Sequence, residues 1–183
     1  WVQSGSIPGA RNAFSVVAYY GNLYVVGGDD GSIKRGDIEF AAINGDGSVG
    51  TWTASTSFSP GRYIFSTVVS NGFIYILGGT SSGHLNVVQF APIRPDGHVG
   101  TTWVNTSSFS PARWGHGTAI YNGYVYVIGG YDNDVNFKGD VQYAPIFSDG
   151  TTGTFQNTTP LPVARAQFSA VAYNGYIYVA GGQ

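Results

Sequence analysis

The chain writes one pattern four times, and no other property narrows its fold as much. Arg11, Arg62, Arg113 and Arg165 recur at intervals of 51, 51 and 52 residues. Each stands 16 residues before a glycine pair: Gly27-Gly28, Gly78-Gly79, Gly129-Gly130 and Gly181-Gly182. Each follows an aromatic by 10 residues: Trp1, Trp52, Trp103 and Phe155. Self-similarity at a fixed period near fifty denotes an array of one supersecondary unit. A residue present in every copy therefore belongs to the scaffold before it belongs to any chemistry.

The third copy shows the unit. GHGTAIY (Gly115 to Tyr121) and YVYVI (Tyr124 to Ile128) flank Asn122-Gly123. Two β-rich runs joined by Asn-Gly predict a hairpin, because both central residues of its type I′ turn need positive φ. The same slot holds Asn71-Gly72 and Asn174-Gly175, with Gly21-Asn22 reversed in the first copy. The second strand of each hairpin is almost wholly apolar, so it is expected to be buried on both faces and to end at Gly-Gly. A variable polar segment follows (Asp29 to Arg35, Thr80 to His84, Tyr131 to Lys138). Then come a third strand, an Asp-Gly turn (Asp46-Gly47, Asp96-Gly97, Asp149-Gly150) and a short fourth strand carrying Trp52, Trp103 or Phe155.

Four antiparallel strands in about 51 residues make one propeller blade. One such sheet cannot cover two apolar faces, whereas twisted sheets stacked face to face can, and they bend into a ring. The expected fold is all-β, with blades at about 10–55, 61–106 and 112–157, a partial fourth at 164–183, and 1–6 as an outer-strand segment. The double glycine after an apolar strand, the outer-strand aromatic and the Arg that follows it resemble the kelch-repeat β-propellers. The resemblance runs through the whole chain. Phe40, Phe90 and Tyr143 stand where that family usually has Tyr, and Phe155 replaces Trp in the last copy. The resemblance implies rings of five to eight blades, often closed by a strand from the opposite terminus. Three arrangements stay open: part of a longer polypeptide, a partial ring completed by another copy, or a four-bladed ring with one defective blade. The chain starts at Trp1 and contains no Met, which reads as a processed product or a domain of something longer.

Composition removes several functions. The net charge is −2, with 8 scattered Lys and Arg, which provides no field for nucleic acid. No apolar run reaches the length of a membrane span. There is no Cys, hence no disulfide and none of the Cys–Tyr copper chemistry of the galactose-oxidase-like propellers. Sparse charge with abundant Ser, Thr and Asn points to an extracellular or cell-surface setting. The sequons Asn105-Thr106-Ser107 and Asn157-Thr158-Thr159, in the connections between blades, offer glycan acceptors there.

No motif for a cofactor, a phosphate or a catalytic triad is present, and Glu39 is the only Glu. The repeated Arg is expected to tie adjacent blades through backbone carbonyls, and the repeated Trp or Phe to pack between blades. His84, His98 and His116 share no repeat slot or ligand spacing, so they read as surface or turn residues. Asp132, Asp134, Asn136 and Asp140 resemble the start of a calcium loop but lack its Gly and terminal Glu. Variable loops on a rigid frame are where binding is built. On that face stand Asp30, Lys34, Arg35, Tyr63, His84, Trp114, His116, Tyr131, Asp132 and Lys138. Trp114 and Tyr63 follow the repeat Arg in slots held elsewhere by Asn12 and Ala166. The expected activity is a non-catalytic interaction or structural module that binds a protein or itself. A carbohydrate-binding propeller is the alternative.

Overall fold

A computed structural model describes residues 5–132 and 136–183. Trp1 and Asp134 lie outside the described residues. The described chain is all-β: three four-stranded antiparallel sheets and one two-stranded sheet. The first blade is β1 (Ser15–Tyr19), β2 (Asn22–Asp29), β3 (Lys34–Ala42) and β4 (Thr53–Ala54). The second is β5 (Ser66–Ser70), β6 (Phe73–Thr80), β7 (His84–Pro92) and β8 (Val104–Thr106). The third is β9 (Gly117–Tyr121), β10 (Tyr124–Tyr131), β11 (Phe137–Pro145) and β12 (Gln156–Thr158). The partial fourth is the hairpin β13 (Ser169–Tyr173) and β14 (Tyr176–Ala180).

Side chains of a strand alternate between faces, and here each face meets a neighbouring blade. Ile74 and Ile76 of β6 join Tyr24, Val26, Ile38 and Phe40 of the first blade. Tyr75 and Leu77, which alternate with them, point the other way, onto Val125 and Val127 of the third. All four β6 residues are 0–1% exposed. Burial of an aliphatic side chain on this scale contributes about 1.5–3 kcal/mol, so the cores of this protein lie between sheets. Polar bonds follow the same seams: the Tyr24 hydroxyl donates to the Gly97 carbonyl and that of Tyr75 to the Gly150 carbonyl, both at 2.9 Å.

Three details differ from the sequence expectation. The glycine pair does not end the second strand in the complete blades. The register slips between Val26 and Gly28, Leu77 and Gly79, and Ile128 and Gly130, and each strand then continues. The pair is thus a bulge inside the strand, with both glycines at positive φ. The first turn is centred on Tyr20-Gly21, not Gly21-Asn22: both have positive φ, and Tyr19 pairs with Asn22. A turn one residue later would send Tyr24 and Val26 to the wrong face. Trp52, Trp103 and Phe155 precede the short fourth strands instead of lying in them.

The glycine pair is held between its own blade and the next. Gly28, Gly79 and Gly130 donate their N–H groups to the carbonyls of Arg62, Arg113 and Arg165 in the next blade, at 3.0, 3.0 and 2.9 Å. A Cβ on Gly79 would lie 2.5 Å from the Cβ of Phe65 and 3.0 Å from the Tyr63 oxygen, at φ +88°. Gly79→Ala is therefore expected to destabilise the protein by about 3 kcal/mol or more in urea unfolding. Gly83→Ala, with nothing within 4 Å of the new Cβ, is expected to stay within about 0.5 kcal/mol.

Candidate functional site

The repeat Arg heads the segment leading into each innermost strand, and its side chain works inside its own blade. Arg11, Arg62, Arg113 and Arg165 donate to the carbonyls of Gly27, Gly78, Gly129 and Gly181 at 3.3, 3.3, 3.0 and 3.1 Å. The link between blades, expected of the guanidinium, is made instead by the Arg backbone. Its carbonyl accepts from the preceding blade's glycine, and the N–H groups of Arg62, Arg113 and Arg165 donate to Arg35, Leu85 and Lys138. Third-strand side chains complete the cages. Asp140 takes Arg113 bidentately at 2.8 and 2.9 Å, and Asp37 takes Arg11 at 2.9 Å. The second blade has no acid in that place, and the Gln89 side-chain oxygen accepts from Arg62. Arg62 is fully buried, and burial pushes its pKa down to about 10, so it stays charged at neutral pH. The guanidiniums hold Asp37 and Asp140 below the ordinary carboxylate value despite the opposing effect of burial.

The residue after each Arg lies on the propeller face formed by the β2–β3, β6–β7 and β10–β11 hairpin tips. Asn12, Tyr63 and Trp114 form bridges with Asp29, Thr80 and Tyr131, the residues that follow the glycine pairs. The backbone frame is constant while its side chains vary. Across it runs a ladder of aromatic and basic groups. Lys34 Nζ lies 5.2 Å over the Tyr63 ring. The His84 ring is 6.2 Å from Trp114, Trp114 stacks on Tyr131 at 4.5 Å, and Tyr131 meets Phe137 at 4.4 Å. Tyr131 is nearly buried at 8% exposure, which makes it the base on which Trp114 rests. The acids at the tips pair locally: Asp30 with Arg35 at 3.1 Å and Asp132 with Lys138 at 3.3 Å. Phe137, at 40% exposure, was missed by sequence reading, which placed it within a polar loop. Its signal is an aromatic flanked by Asn and Lys at the position that Lys34 and His84 hold in the other two tips.

His116 is not part of that ladder. It is 4% exposed and packs 5.5 Å from Phe109, which contradicts the surface reading. Three positions after the repeat Arg, it fills the slot of Phe14, Phe65 and Phe168. Burial and the adjacent Arg113 push its pKa down to about 3, against a smaller upward pull from the Leu77 backbone. His98 lies beside its Asp-Gly turn, 4.9 Å from Phe40. The repeated aromatics pack between blades, Trp103 on Phe58 at 5.8 Å and Phe155 on Phe109 at 5.9 Å. Asn105 and Asn157 sit exposed on the outermost strands β8 and β12, not in the connections. Among the described residues no three His, Cys, Asp or Glu side chains are grouped to hold a metal.

Comparison with known proteins agrees with this geometry. No family model matches the chain. Beta-scruin of Limulus polyphemus is 27% identical over 195 residues, covering all of this chain and 20% of that protein. The kelch-like protein terF of Aspergillus terreus is 26% identical, covering all of this chain and 41% of that one. Kelch-like protein 36 of Bos taurus is 24% identical, again over all of this chain and 29% of that protein. The solved structure of YjhT superposes with a TM-score of 0.78 at 16% identity, covering 100% of this chain and 62% of that one. The chain is a β-propeller similar in sequence to kelch-like proteins. It spans between a fifth and about two fifths of those curated relatives. In this chain the glycine pair and the Arg form the joint between blades, and the hairpin tips carry what differs from blade to blade.

His116 gives a pH prediction. Its folded pKa of about 3 lies below its ordinary 6.5, so the unfolded chain takes up the proton first. The stability is complete above pH 6.5 and falls as pH drops from 6.5 towards 3. His116→Phe restores the residue of the other blades and is expected to flatten that slope in urea unfolding at stepped pH. The fall caused by Asp37 and Asp140, below their ordinary 3.8, is expected to remain.

Proposed function

We propose that this chain is a non-catalytic interaction module that binds a protein partner across its hairpin-tip face, in an extracellular or cell-surface setting. The observation that carries this reading is the ladder from Lys34 and Tyr63 through His84 and Trp114 to Phe137. Aromatic anchors beside cations are the residues that dominate interface energetics. Support for a non-catalytic role comes from the acids, which serve structure: Asp37 and Asp140 hold arginines, and Asp46, Asp96 and Asp149 accept N–H bonds within their own turns. The exposed sequons on β8 and β12 fit a glycosylated exterior. No helix of the described chain is long and apolar enough to cross a membrane.

Pull-down with wild-type protein, followed by titration of the captured partner, tests the reading. Trp114→Ala is expected to weaken that affinity at least tenfold, or about 1.4 kcal/mol, with unchanged circular dichroism. Equal affinity would remove the hairpin-tip face from the function. Binding on a glycan array that Trp114→Ala abolishes would instead favour the carbohydrate-binding alternative.

A second element of the proposal is self-association through the partial blade. Its outward face shows Val171, Tyr173, Tyr176 and Tyr178 at 58, 72, 68 and 50% exposure. The equivalents of Val171 and Tyr178 in the second blade, Val68 and Tyr75, are buried at 8 and 1%. β14 also has a strand partner on one side only, and a free strand edge beside apolar surface favours pairing with another chain. Light scattering of the 183 residues at micromolar concentration is expected to show a mass above the 19.3 kDa monomer. Tyr176→Lys with Tyr178→Lys is expected to return it to that mass. A clean wild-type monomer would overturn this element and leave the hairpin-tip reading intact.

A further inference from the structure

A cleft of about 450 Å³ opens between the first two blades, on the face opposite the hairpin tips. It is lined by Tyr19, Tyr20, Asn22, Tyr24, Ile93 and Arg94, among others. Its size is that of a small-molecule site. Three departures from the repeat, each absent from the next seam, create it.

The first is Asn22. In the seam between the second and third blades, the corresponding Phe73 packs on Phe90 at 5.5 Å and lies 2.9 Å from where a Cβ on Gly150 would stand. That ring fills the space. In the first seam the Asn22 amide nitrogen takes this position, 3.3 Å from the equivalent point on Gly97, and the space stays open. The second is Tyr20. The other three turns place Asn at this positive-φ position, whereas here a tyrosine adopts φ 43° with 86% of its surface exposed. A bulky residue held in this region is strained, and such strain gathers at ligand sites. Its ring stands at the mouth of the cleft, edge-on to Tyr19 at 4.6 Å. The third is Arg94. Arg11, Arg35, Arg62, Arg113 and Arg165 all have hydrogen-bond partners. Among the described residues the Arg94 guanidinium has none, its hydrogen bonds being those of its backbone with His98 and Gly97, and it is the only charged residue lining the cleft. Asp96 is nearby, but its carboxylate accepts from the His98 N–H and does not line the space.

From this arrangement we propose that the cleft binds a small ring-bearing carboxylate. The ring lies against Tyr20 and Tyr19, and the carboxylate pairs with the Arg94 guanidinium. The free oxygen of the Asn22 amide accepts from a hydroxyl on the ring, since its nitrogen is turned to the Tyr20 carbonyl at 3.4 Å. A uronic sugar and a hydroxylated aromatic acid share this chemistry.

Titration of ¹⁵N-labelled protein with glucuronate, with 4-hydroxybenzoate and with neutral glucose tests the proposal. One of the acids is expected to shift the amides of Tyr20 to Asn22 and Arg94 to Gly97 with a Kd of about a millimolar or tighter, and which acid does so identifies the source. Glucose is expected to bind at least tenfold more weakly. Arg94→Ala is expected to abolish the shifts. Tyr20→Asn restores the residue of the other turns, so it folds without strain, and it is expected to weaken binding at least tenfold. No shift with either acid at 10 mM, shifts spread over the whole chain, or the same affinity in both variants would overturn the proposal.

Discussion

The junction between the glycine pair and the repeat Arg is the interaction on which the rest of the molecule depends. The Arg carbonyl accepts the N–H of the preceding blade's second glycine, while its guanidinium holds the carbonyl of its own blade's first glycine. One residue therefore fixes the position of one sheet on the next and the path by which the chain enters the innermost strand. Both functions need a backbone with no side chain in the way, which is why the partner is glycine. A buried guanidinium is costly unless its donors are satisfied, and the Asp, Gln and carbonyl cage satisfies it from residues of the same blade. A second ladder runs from blade to blade just before the inner strands, where Ile64, Gly115 and Gln167 donate to Ala13, Ile64 and Gly115 in turn.

With the seams fixed in this way, side chains off the seams are free to differ, and the departures are informative. Trp114 and Tyr63 extend the repeat Arg with aromatic surface where Asn12 and Ala166 do not. Asn22 leaves open a space that Phe73 closes one blade later. Tyr20 occupies a turn position that Asn fills at lower strain. Those departures change the exposed face and the space between blades. His116 is a departure of another kind, a titratable ring in a phenylalanine slot, and its effect is on stability.

Much of the fold was legible because it is written in local signals. Asn-Gly and Asp-Gly turns, continuous apolar strands and the fixed distance from Arg to Gly-Gly all act within one repeat. The Tyr20-Gly21 turn escaped because Asn22 imitates the Asn of the other hairpins, and only the register with β1 decides between them. His116 escaped because a histidine has no sequence mark of burial. It could have been found by aligning it with Phe14, Phe65 and Phe168. The site was legible as a face and a set of candidates, with Trp114 and Tyr63 on it. Arg94 and Tyr19 were not, because the cleft they line exists only once two blades are stacked.

The sequence by itself determined the repeat, the blade and the identity of the scaffold residues, since these follow from periodicity and turn chemistry over a few tens of residues. Only the tertiary structure decided which side chains meet. The pairs that matter, Arg62 with Gly28, Tyr24 with Gly97, and Asn22 with the second blade's turn, join residues of different blades. Contacts of that kind depend on how twisted sheets stack, and a linear pattern of residue types does not record the angle at which two sheets face each other.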